Sequence, residues 1–231
     1  MKIAVIPARG GSKRIPKKNI KLFNEKPIIA WSIEAAKNSK LFDHIIVSTD
    51  SEEIAEVAIH SGAEVPFFRP NNLSNDYAGT TEVIAHAIDW YINYGYDIRS
   101  ACCIYATAPL IRISDILDAF EIFKTNRWDY VFPATDFPSS IFRGFKRNSS
   151  DGVEMLYPKF FTSRSQDFPN IFHDAGQFYW GKSDAWLEGR QIFNGSSTII
   201  PIPRWRVQDI DTLEDWERAE KIAMLMDRCG K

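Results

Sequence analysis

A basic loop near the N-terminus carries the strongest chemical signal in the chain. The charged residues between Ala8 and Lys21 are all basic: Arg9, Lys13, Arg14, Lys17, Lys18 and Lys21. Gly10 and Gly11 allow backbone N–H groups to approach phosphate oxygens, and Ser12 adds a hydroxyl donor. An arginine can hold a phosphate through two parallel hydrogen bonds, whereas a lysine acts as a point charge. The ordered string predicts a polyphosphate site, although its charge alone fits a solvated basic turn equally well.

The position of this loop also favours a nucleotide site. The dinucleotide fingerprint G-x-G-x-x-G and the P-loop G-x-x-x-x-G-K-[ST] are both absent from it. The loop directly follows Ile3 to Ile6, a short apolar run that predicts a buried strand. Because ligands of open α/β sheets bind at the carboxyl ends of strands, the loop stands where a site is expected.

Two aspartates near the C-terminus predict a metal site. In an extended chain residues i and i+2 point to the same side, so Asp209 and Asp211 present their carboxylates together while Ile210 faces the core. Such a pair is costly unless a cation lies between the carboxylates, and Mg²⁺ commonly takes one or two carboxylates plus substrate phosphates. Taken alone, Asp211 or Thr212 fits a simple helix cap equally well, but the basic loop favours the metal.

A polar segment further along the chain suits a hydroxylated, acidic small molecule. Arg164 can bind a carboxylate, while Gln166, His173 and Gln177 can bind hydroxyl or amide groups. The pair His173-Asp174 lacks further ligands at metal-binding spacing, which favours hydrogen bonding over metal coordination.

Composition bounds the class of protein. The 231 residues suggest one large domain, and a net charge of −2 provides no general basic field for nucleic acid. Three cysteines do not make a disulfide framework, and the longest nearly apolar run, around 101–111, is far short of the ~20 residues of a membrane helix. The chain opens directly into its first strand, without room for a signal peptide. We therefore expect a soluble cytoplasmic protein that binds neither nucleic acid nor a membrane.

The elements that must position these residues alternate along the chain. Strands are predicted at 3–6, 44–48, 65–68, 101–105, 130–133 and 197–202. Helices are predicted at about 27–38, from Asp50, at 81–94, from a Ser114 cap to about 124, and from Thr212 with Asp215 three residues on. Alternation of strands with helices of ten or more residues is typical of a parallel sheet covered on both faces.

Residues 137 to 172 interrupt this pattern. The segment is rich in Phe, Ser, Asp and Pro and shows no helical period, which predicts an extended excursion that can contain a hairpin. Its phenylalanines include Phe142, Phe145, Phe160, Phe161, Phe168 and Phe172. They pack either against a second copy of the chain or on the parent sheet, and the two alternatives have equal weight. We expect a single domain over 1–231 with an inserted dimerisation segment at about 137–172.

Several strings in the chain resemble one enzyme family. IPARGGSKRIPKKNI resembles the opening motif of the cytidylyltransferases that activate nonulosonic, sialic-type acid sugars as CMP conjugates. Further matching strings follow in the expected order: STDSEEIAEVA, FRPNNLS, ATAPLIR, SRSQDFP with HDAGQFYW, and VQDIDTLEDWERAE. The last two are most similar to the branch that uses pseudaminic acid. The resemblance implies an α/β, Rossmann-like nucleotidyltransferase fold with a mostly parallel central sheet, a Mg²⁺-dependent reaction, and a homodimer built through the excursion.

The resemblance also implies roles on the nucleotide side of a site. The positions matched to the triphosphate-binding loop are Ala8, Arg9, Gly10, Gly11, Ser12, Lys13 and Lys18. Asn19, Arg69 and Thr80 match positions near the cytidine, and Asp209 with Asp211 match the metal-binding pair. The expected catalytic residues are Arg9, Lys18 and Asp211.

On the sugar side, Arg143 stands where a lysine near the sugar carboxylate is common in the family. Tyr105 replaces a glutamine of the sialic-acid enzymes, and Ala175-Gly176-Gln177 replaces their Asn-Gly-Ala, which favours pseudaminic acid. The expected sugar-binding residues are Tyr105, Arg143, Arg164, Gln166, His173 and Gln177.

The implied reaction is nucleotidyl transfer. The anomeric hydroxyl of a nine-carbon 2-keto acid sugar attacks the α-phosphorus of CTP, and pyrophosphate leaves. Arg9, Lys13 and Lys18 are expected to stabilise the leaving group, and Mg²⁺ on the aspartates to bridge phosphate oxygens. Three alternatives stay open: the same reaction on N-acetylneuraminic, legionaminic or 3-deoxy-manno-octulosonic acid, a metal-dependent glycosyltransferase, and a nucleotide-binding module without catalysis.

Overall fold

The computed structural model describes residues 1–229, which alternate between strands and helices. In chain order these are β1 (Lys2–Pro7), β2 (Leu22–Phe23), β3 (Lys26–Pro27), α1 (Ile28–Ser39), β4 (His44–Ser48), α2 (Glu52–His60), α3 (Thr80–Asn93), β5 (Ser100–Ile104), α4 (Ile113–Phe123), β6 (Tyr130–Asp136), β7 (Phe145–Arg147), β8 (Val153–Met155), β9 (Phe172–Asp174), β10 (Phe178–Lys182), α5 (Ser183–Leu187), β11 (Ser197–Pro201) and α6 (Leu213–Cys229). Within this part of the chain, none of the helices combines the length and apolar character needed to span a membrane.

A seven-stranded sheet forms the centre of the molecule. Its strands are hydrogen-bonded in the order β11-β6-β10-β5-β1-β4, and β9 pairs with β6 off this path. Strands β11, β6, β5, β1 and β4 run in one direction, whereas β10 lies antiparallel between β5 and β6, and β9 lies antiparallel against β6. The prediction of a mostly parallel central sheet is therefore confirmed.

Helices cover both faces of this sheet, as predicted. Ala4 and Ile6 of β1 pack into one buried cluster with side chains of α1, α2 and α4. Ile3 and Val5, which alternate with them, pack into a second cluster with α3 and α5 on the opposite face. The period of two along the strand thus sends neighbouring side chains to different layers, so both layers are anchored to the same backbone.

A third buried cluster joins the two ends of the chain. Trp216 of α6 meets Phe23 edge-on, with ring centroids 5.6 Å apart, and Ile15 and Ile210 are buried beside them. Burying one large aromatic side chain contributes on the order of 2–3 kcal/mol, so this contact can hold α6 against the N-terminal region. The packing brings the segment before α6 next to the basic loop after β1.

The predicted strand at 65–68 is wrong. This stretch joins the sheet through two isolated bridges, Ile46 with Glu64 and Thr49 with Phe68. Pro66 stands between them, and a proline has no N–H to donate to a continuous ladder.

The predicted Ser114 cap is also wrong, because α4 begins at Ile113 with Arg112 as its N-cap. The Arg112 carbonyl accepts the N–H of Asp115 at 3.1 Å. The Asp115 carboxylate is in turn drawn into a buried ion pair with Arg206, at 2.6 Å. This long-range ion pair fixes the first turn of the helix. Capping preferences depend only on neighbouring residues, so they could not predict it.

The sequence pattern does not predict β10 or α5. Gly181 shows why this part of the fold needs tertiary information: a Cβ there would lie 2.3 Å from Nε1 of Trp186. The glycine allows the Trp186 ring to pack directly on the strand, and the Trp186 indole N–H donates to the Ala101 carbonyl at 3.1 Å.

The excursion after β6 contains the short hairpin β7–β8, in agreement with the sequence. Three of its aromatic residues pack on one another. Phe142 packs against Phe160 and Phe168, with ring centroids 4.7 and 5.2 Å apart, so these three form a small cluster within the excursion itself. Phe145 and Phe161 are 66% and 69% exposed.

Candidate active site

A cavity of about 510 Å³, called the first cavity here, opens where the loop after β1 faces the start of α3. Among the residues predicted from the sequence, it is lined by Arg9, Ser12, Lys13, Lys18, Asn19, Arg69, Thr80 and Tyr105. The structure thus gathers the basic loop and the three positions matched to the cytidine around one space.

The start of the basic loop is fixed by backbone contacts. Ala8 is buried and donates its N–H to the Ser48 carbonyl at 2.9 Å. The Gly10 N–H donates to the Asp50 carboxylate at 2.8 Å, so it is not free to bind a phosphate. Apart from its chain neighbours, no atom of the described residues would lie within 4 Å of a Cβ at Gly11, so Gly11 is the glycine of this loop with open space for close approach of a ligand.

Asp76 neutralises two cations of the first cavity. Its Oδ1 lies 2.6 Å from Nη1 of Arg9, and its Oδ2 lies 2.6 Å from Nζ of Lys13. Hydrogen bonds from Lys13 and Arg9 lower the pKa of Asp76, so the carboxylate is ionised. The sequence analysis gives Asp76 no role, because residue spacing does not show that Asp76 folds onto a loop 63 positions away.

Lys18 and Arg14 connect the basic loop to the C-terminal segment. The Lys18 ammonium donates to the Ile210 carbonyl at 2.6 Å and lies 3.5 Å from the Asp211 carboxylate. Arg14 pairs with the other oxygen of Asp211 at 2.8 Å. Residues nearly two hundred positions apart therefore share one charged cluster at the edge of the first cavity.

The two C-terminal aspartates flank a buried residue, since Ile210 faces the core as predicted. Partial burial, together with the charge of Asp211, raises the pKa of Asp209. Asp215 accepts the backbone N–H groups of Asp211 at 3.2 Å and Thr212 at 2.9 Å. This confirms the predicted Thr212–Asp215 capping pair and fixes the backbone beside the aspartates.

The donor set suits Mg²⁺ in the company of a nucleotide. Two carboxylates are what Mg²⁺ commonly takes from a protein when substrate phosphates supply further oxygens. Over residues 1–229, no group of three or more His, Cys, Asp and Glu side chains is placed to hold a metal ion. A metal at Asp209 and Asp211 would therefore depend on the nucleotide for other ligands.

Arg69 and Thr80 also line the first cavity. Arg69 is 6% exposed, and its guanidinium donates to the hydroxyl and the carbonyl of Ser48. Burial lowers its pKa to about 10, so the guanidinium is still charged at neutral pH. Thr80 is the first residue of α3, where the positive end of the helix dipole faces the cavity.

A second cavity of about 470 Å³ adjoins the first, because Tyr105 lines both. Its remaining wall is formed by His173, Asp174, Ala175, Gly176, Val207, Gln208, Asp209 and Arg218. His173 and Tyr105 were predicted to bind a sugar, whereas the sequence gave no ligand role to Asp174 or Arg218. Asp174 can be recognised as a wall residue of the cavity only once the strand pairing is known. In that pairing β9 lies against β6, and β10 lies between β5 and β6.

Four predicted sugar-binding residues line neither cavity in the described chain. Gln177 is 3% exposed, and its amide donates to the Arg206 carbonyl at 3.0 Å. Arg143 donates to the Ser163 carbonyl at 2.7 Å within the excursion. Arg164 and Gln166 also lie on the excursion and are exposed. The structure therefore separates these four positions from the cleft.

A model of the cytidylyltransferase family matches residues 3–144. The matched segment includes the basic loop, Arg69, Thr80 and Tyr105. The chain belongs to the cytidylyltransferase family. As a cytidylyltransferase it is a nucleotidyltransferase that uses CTP.

Curated relatives of this cytidylyltransferase include enzymes with named sugar substrates. It is 47% identical over 218 residues to a pseudaminic acid cytidylyltransferase of Campylobacter jejuni, with 94% of each chain covered. It is 32% identical over 230 residues to a CMP-N,N'-diacetyllegionaminic acid synthase of Legionella pneumophila, with 96% of each chain covered.

The fold agrees with this family. A solved structure of CMP:2-keto-3-deoxy-manno-octonic acid synthetase, complexed with CTP, superposes with a TM-score of 0.69. The sequences are 15% identical, and 98% of each chain is covered. This likeness confirms the predicted Rossmann-like nucleotidyltransferase fold.

Proposed function

We propose that this cytidylyltransferase transfers CMP from CTP to the anomeric hydroxyl of pseudaminic acid, a nonulosonic acid sugar, and releases pyrophosphate. The observation that carries the proposal is the junction of the two cavities. Tyr105 lines both, Asp209 lines the second, and Asp211 contacts two cations of the first. The 47% identity to the Campylobacter jejuni pseudaminic acid cytidylyltransferase supports this sugar as the acceptor.

In this proposal the first cavity binds CTP. Arg9, Lys13 and Lys18 attract the β- and γ-phosphates, and their charges stabilise the pyrophosphate as it leaves. Ser12 and the open backbone at Gly11 add uncharged donors to the same phosphates. Ala8 and Gly10 act indirectly, because their N–H groups fix the loop to Ser48 and Asp50.

The cytidine is proposed to lie towards Arg69 and Thr80. Arg69 is already held by Ser48, so binding does not have to order its side chain. Asn19 donates to the Arg9 carbonyl at 2.9 Å and so ties the loop together beside the proposed nucleoside position.

Asp209 and Asp211 are proposed to hold Mg²⁺ together with the nucleotide. The bound ion would supply neutralisation of phosphate charge and a Lewis acid for phosphate oxygens. Lys18 and Arg14 balance the charge of Asp211 in the protein itself. These contacts hold Asp211 beside the cations of the first cavity, which form its phosphate end in this proposal.

The chemistry that this arrangement must support is a single displacement. The anomeric oxygen forms a bond to the α-phosphorus, the bond from that phosphorus to the bridging oxygen breaks, and the electron pair leaves on pyrophosphate. The anomeric proton passes to solvent. Alignment of the acceptor with CTP across the Tyr105 junction supplies the proximity that such a step requires.

A homodimer through residues 137–172 is part of the proposal. Exposed apolar side chains are concentrated on this segment: Phe137, Phe145, Val153, Leu156, Tyr157, Phe161 and Phe172. Burial against a second copy would remove this surface from water. A dimer would also explain how Arg143, Arg164 and Gln166 come near a sugar. The family resemblance puts these residues near the sugar, although in one chain they lie outside both cavities.

The test is pyrophosphate release from CTP with a panel of acid sugars. We expect turnover with pseudaminic acid to exceed that with N-acetylneuraminic, legionaminic and 3-deoxy-manno-octulosonic acids, and to be lost when EDTA removes Mg²⁺. Tight CTP binding without turnover on any of these sugars would instead indicate a binding module.

Because CTP is made and used in the cytoplasm, we propose that the protein acts there.

A further inference from the structure

Gln177 contacts two separate parts of the wall of the second cavity from behind. It is buried and follows directly after the wall residues Ala175 and Gly176. Its backbone carbonyl accepts the N–H of Tyr105 at 2.9 Å. Its side-chain amide reaches the Arg206 carbonyl at 3.0 Å, and because a carbonyl only accepts, the NH₂ group of the amide faces it. One residue thus joins the end of β5 to the segment that begins at Arg206.

Arg206 is held through its side chain as well as through its carbonyl. Its guanidinium donates to both carboxylate oxygens of Asp115 in α4, at 2.6 and 3.2 Å. Both side chains are buried, so water screens this two-pronged ion pair little. The ion pair fixes the arginine side chain to α4, whereas the Gln177 amide fixes the backbone from which the next residues continue.

The three residues after Arg206 form a short wall between two fixed points. Val207, Gln208 and Asp209 all line the second cavity, and within the described chain none of them lines the first. The next residue, Ile210, is 1% exposed and belongs to the buried cluster that joins the chain ends. The position of this wall therefore depends on the anchor at Arg206 on one side and on the anchor at Ile210 on the other.

We propose that Gln177 is a positioning residue for the acceptor: its amide sets the separation between Tyr105 and the wall at 207–209, and with it the shape of the cavity that takes the sugar. This inference rests on the proposed function, because it assigns the acceptor to the second cavity. It replaces the direct contact expected from the sequence, since Gln177 acts on the sugar through the Arg206 backbone.

Gln177→Met removes the amide and nearly keeps the size of the side chain. Loss of one hydrogen bond that holds the wall predicts a fall of about fivefold in kcat/KM for pseudaminic acid. The Kd for CTP, measured by calorimetry without Mg²⁺, should stay within about twofold of wild type, because the first cavity keeps its lining residues. An unchanged kcat/KM for the sugar, or an equal loss of CTP affinity, would overturn the inference.

Amide hydrogen exchange tests the same anchor without a substrate. The Val207 N–H donates to the Arg204 carbonyl at 3.0 Å. We expect it to exchange about fivefold faster in Gln177→Met, because the wall opens more readily without its carbonyl anchor. Gln177→Asn, which shortens the reach of the amide by one methylene, should give the same result and replaces Gln177→Met if that variant does not fold. Exchange of Val207 at the wild-type rate would overturn the inference.

Ser39 offers a matched control. It is buried, and its hydroxyl donates to a backbone carbonyl, that of Ala36, at 2.6 Å within α1. Ser39→Ala should leave the sugar kinetics and Val207 exchange unchanged, even if it lowers Tm as much as Gln177→Met does. Equal changes in both variants would indicate a general loss of stability and overturn the inference. If wild type turns over no acid sugar while Val207 exchange still responds to Gln177, the proposed function fails and the anchoring of the wall by Gln177 stands.

Discussion

The two cavities hold their polar groups in different ways. In the first, Asp76 is 43% exposed and pairs with Arg9 and Lys13 at the surface, where solvent screening keeps such pairs weak. In the second, Asp174 is held by a buried tyrosine and a backbone N–H. An anion can therefore replace Asp76 at little cost, whereas the Asp174 carboxylate of the second cavity is fixed. The first arrangement fits the proposed capture and release of a polyphosphate, and the second fits the proposed discrimination between sugars.

The largest loss of activity is expected at Asp211, which contacts two cations of the first cavity. Asp211→Asn should lower turnover by about 10²-fold or more, because the charge at the phosphate end of the site is lost while the fold is kept. Pyrophosphate release at saturating Mg²⁺ measures it. Glu214→Gln, an exposed acid in the first turn of α6, is the matched control and should keep its activity. A near-normal rate in Asp211→Asn would contradict the assignment.

A similar loss is expected in the first cavity from Arg9→Ala, on the order of 10²-fold in kcat/KM for CTP. Lys17→Ala removes a cation from the same loop, but Lys17 pairs with Glu53 at 2.7 Å and does not line the first cavity. We expect Lys17→Ala to stay within about twofold of wild type. Equal losses in both variants would show that overall loop charge matters, and not the cavity.

Asp76→Asn is expected to strengthen ligand binding by a moderate amount, whereas the two preceding substitutions weaken activity. Pyrophosphate should bind about three- to tenfold more tightly, because the internal anion that competes for Arg9 and Lys13 is neutralised. Calorimetric titration measures the affinity, and the gain should shrink at high salt. Glu53→Gln makes the same charge change outside the cavity and should have no effect. Weaker binding in Asp76→Asn would mean that this carboxylate helps to hold the ligand.

The smallest effect concerns stability. Folding raises the pKa of Asp209, so its charged form costs stability; the cost is complete above the folded-state pKa and vanishes below the ordinary carboxyl pKa. Without Mg²⁺ at pH 7, Asp209→Asn should therefore raise Tm by about 1–2 °C, and the gain should fade on acidification. Thermal melts from pH 4 to 8 check this, with Glu217→Gln as the exposed control. A gain that persists at pH 4 would be inconsistent with the titration of Asp209.

The parts of the site that the sequence predicts are those encoded over short stretches. Strand β1 followed by the basic loop, the alternation of Ile210 with two aspartates, and the Thr212–Asp215 cap all follow from spacing of a few residues. The structure places them as expected. The packing of Trp216 on Phe23 then brings the segment with the two aspartates next to the basic loop.

The parts that the sequence does not predict depend on register between distant strands. Asp174 and Tyr179 become partners because β9 and β10 lie antiparallel against β6 and β5. Gln177 has the same polar character as the predicted ligands, yet its position just before β10 turns it into the core towards Arg206. A residue type states which chemistry is available, but only the sheet decides whether it faces a cavity.

The docking of Trp216 on Phe23 ties occupancy of the site to the state of the last helix. If α6 detaches, Lys18 and Arg14 lose the carboxylate that they share, and the phosphate end of the cleft opens. Thermodynamic linkage then requires the reverse as well: a ligand that bridges the basic loop and the two aspartates must slow amide hydrogen exchange along α6. If the nucleotide bridges these two segments as proposed, its capture and the closure of the two chain ends are one equilibrium.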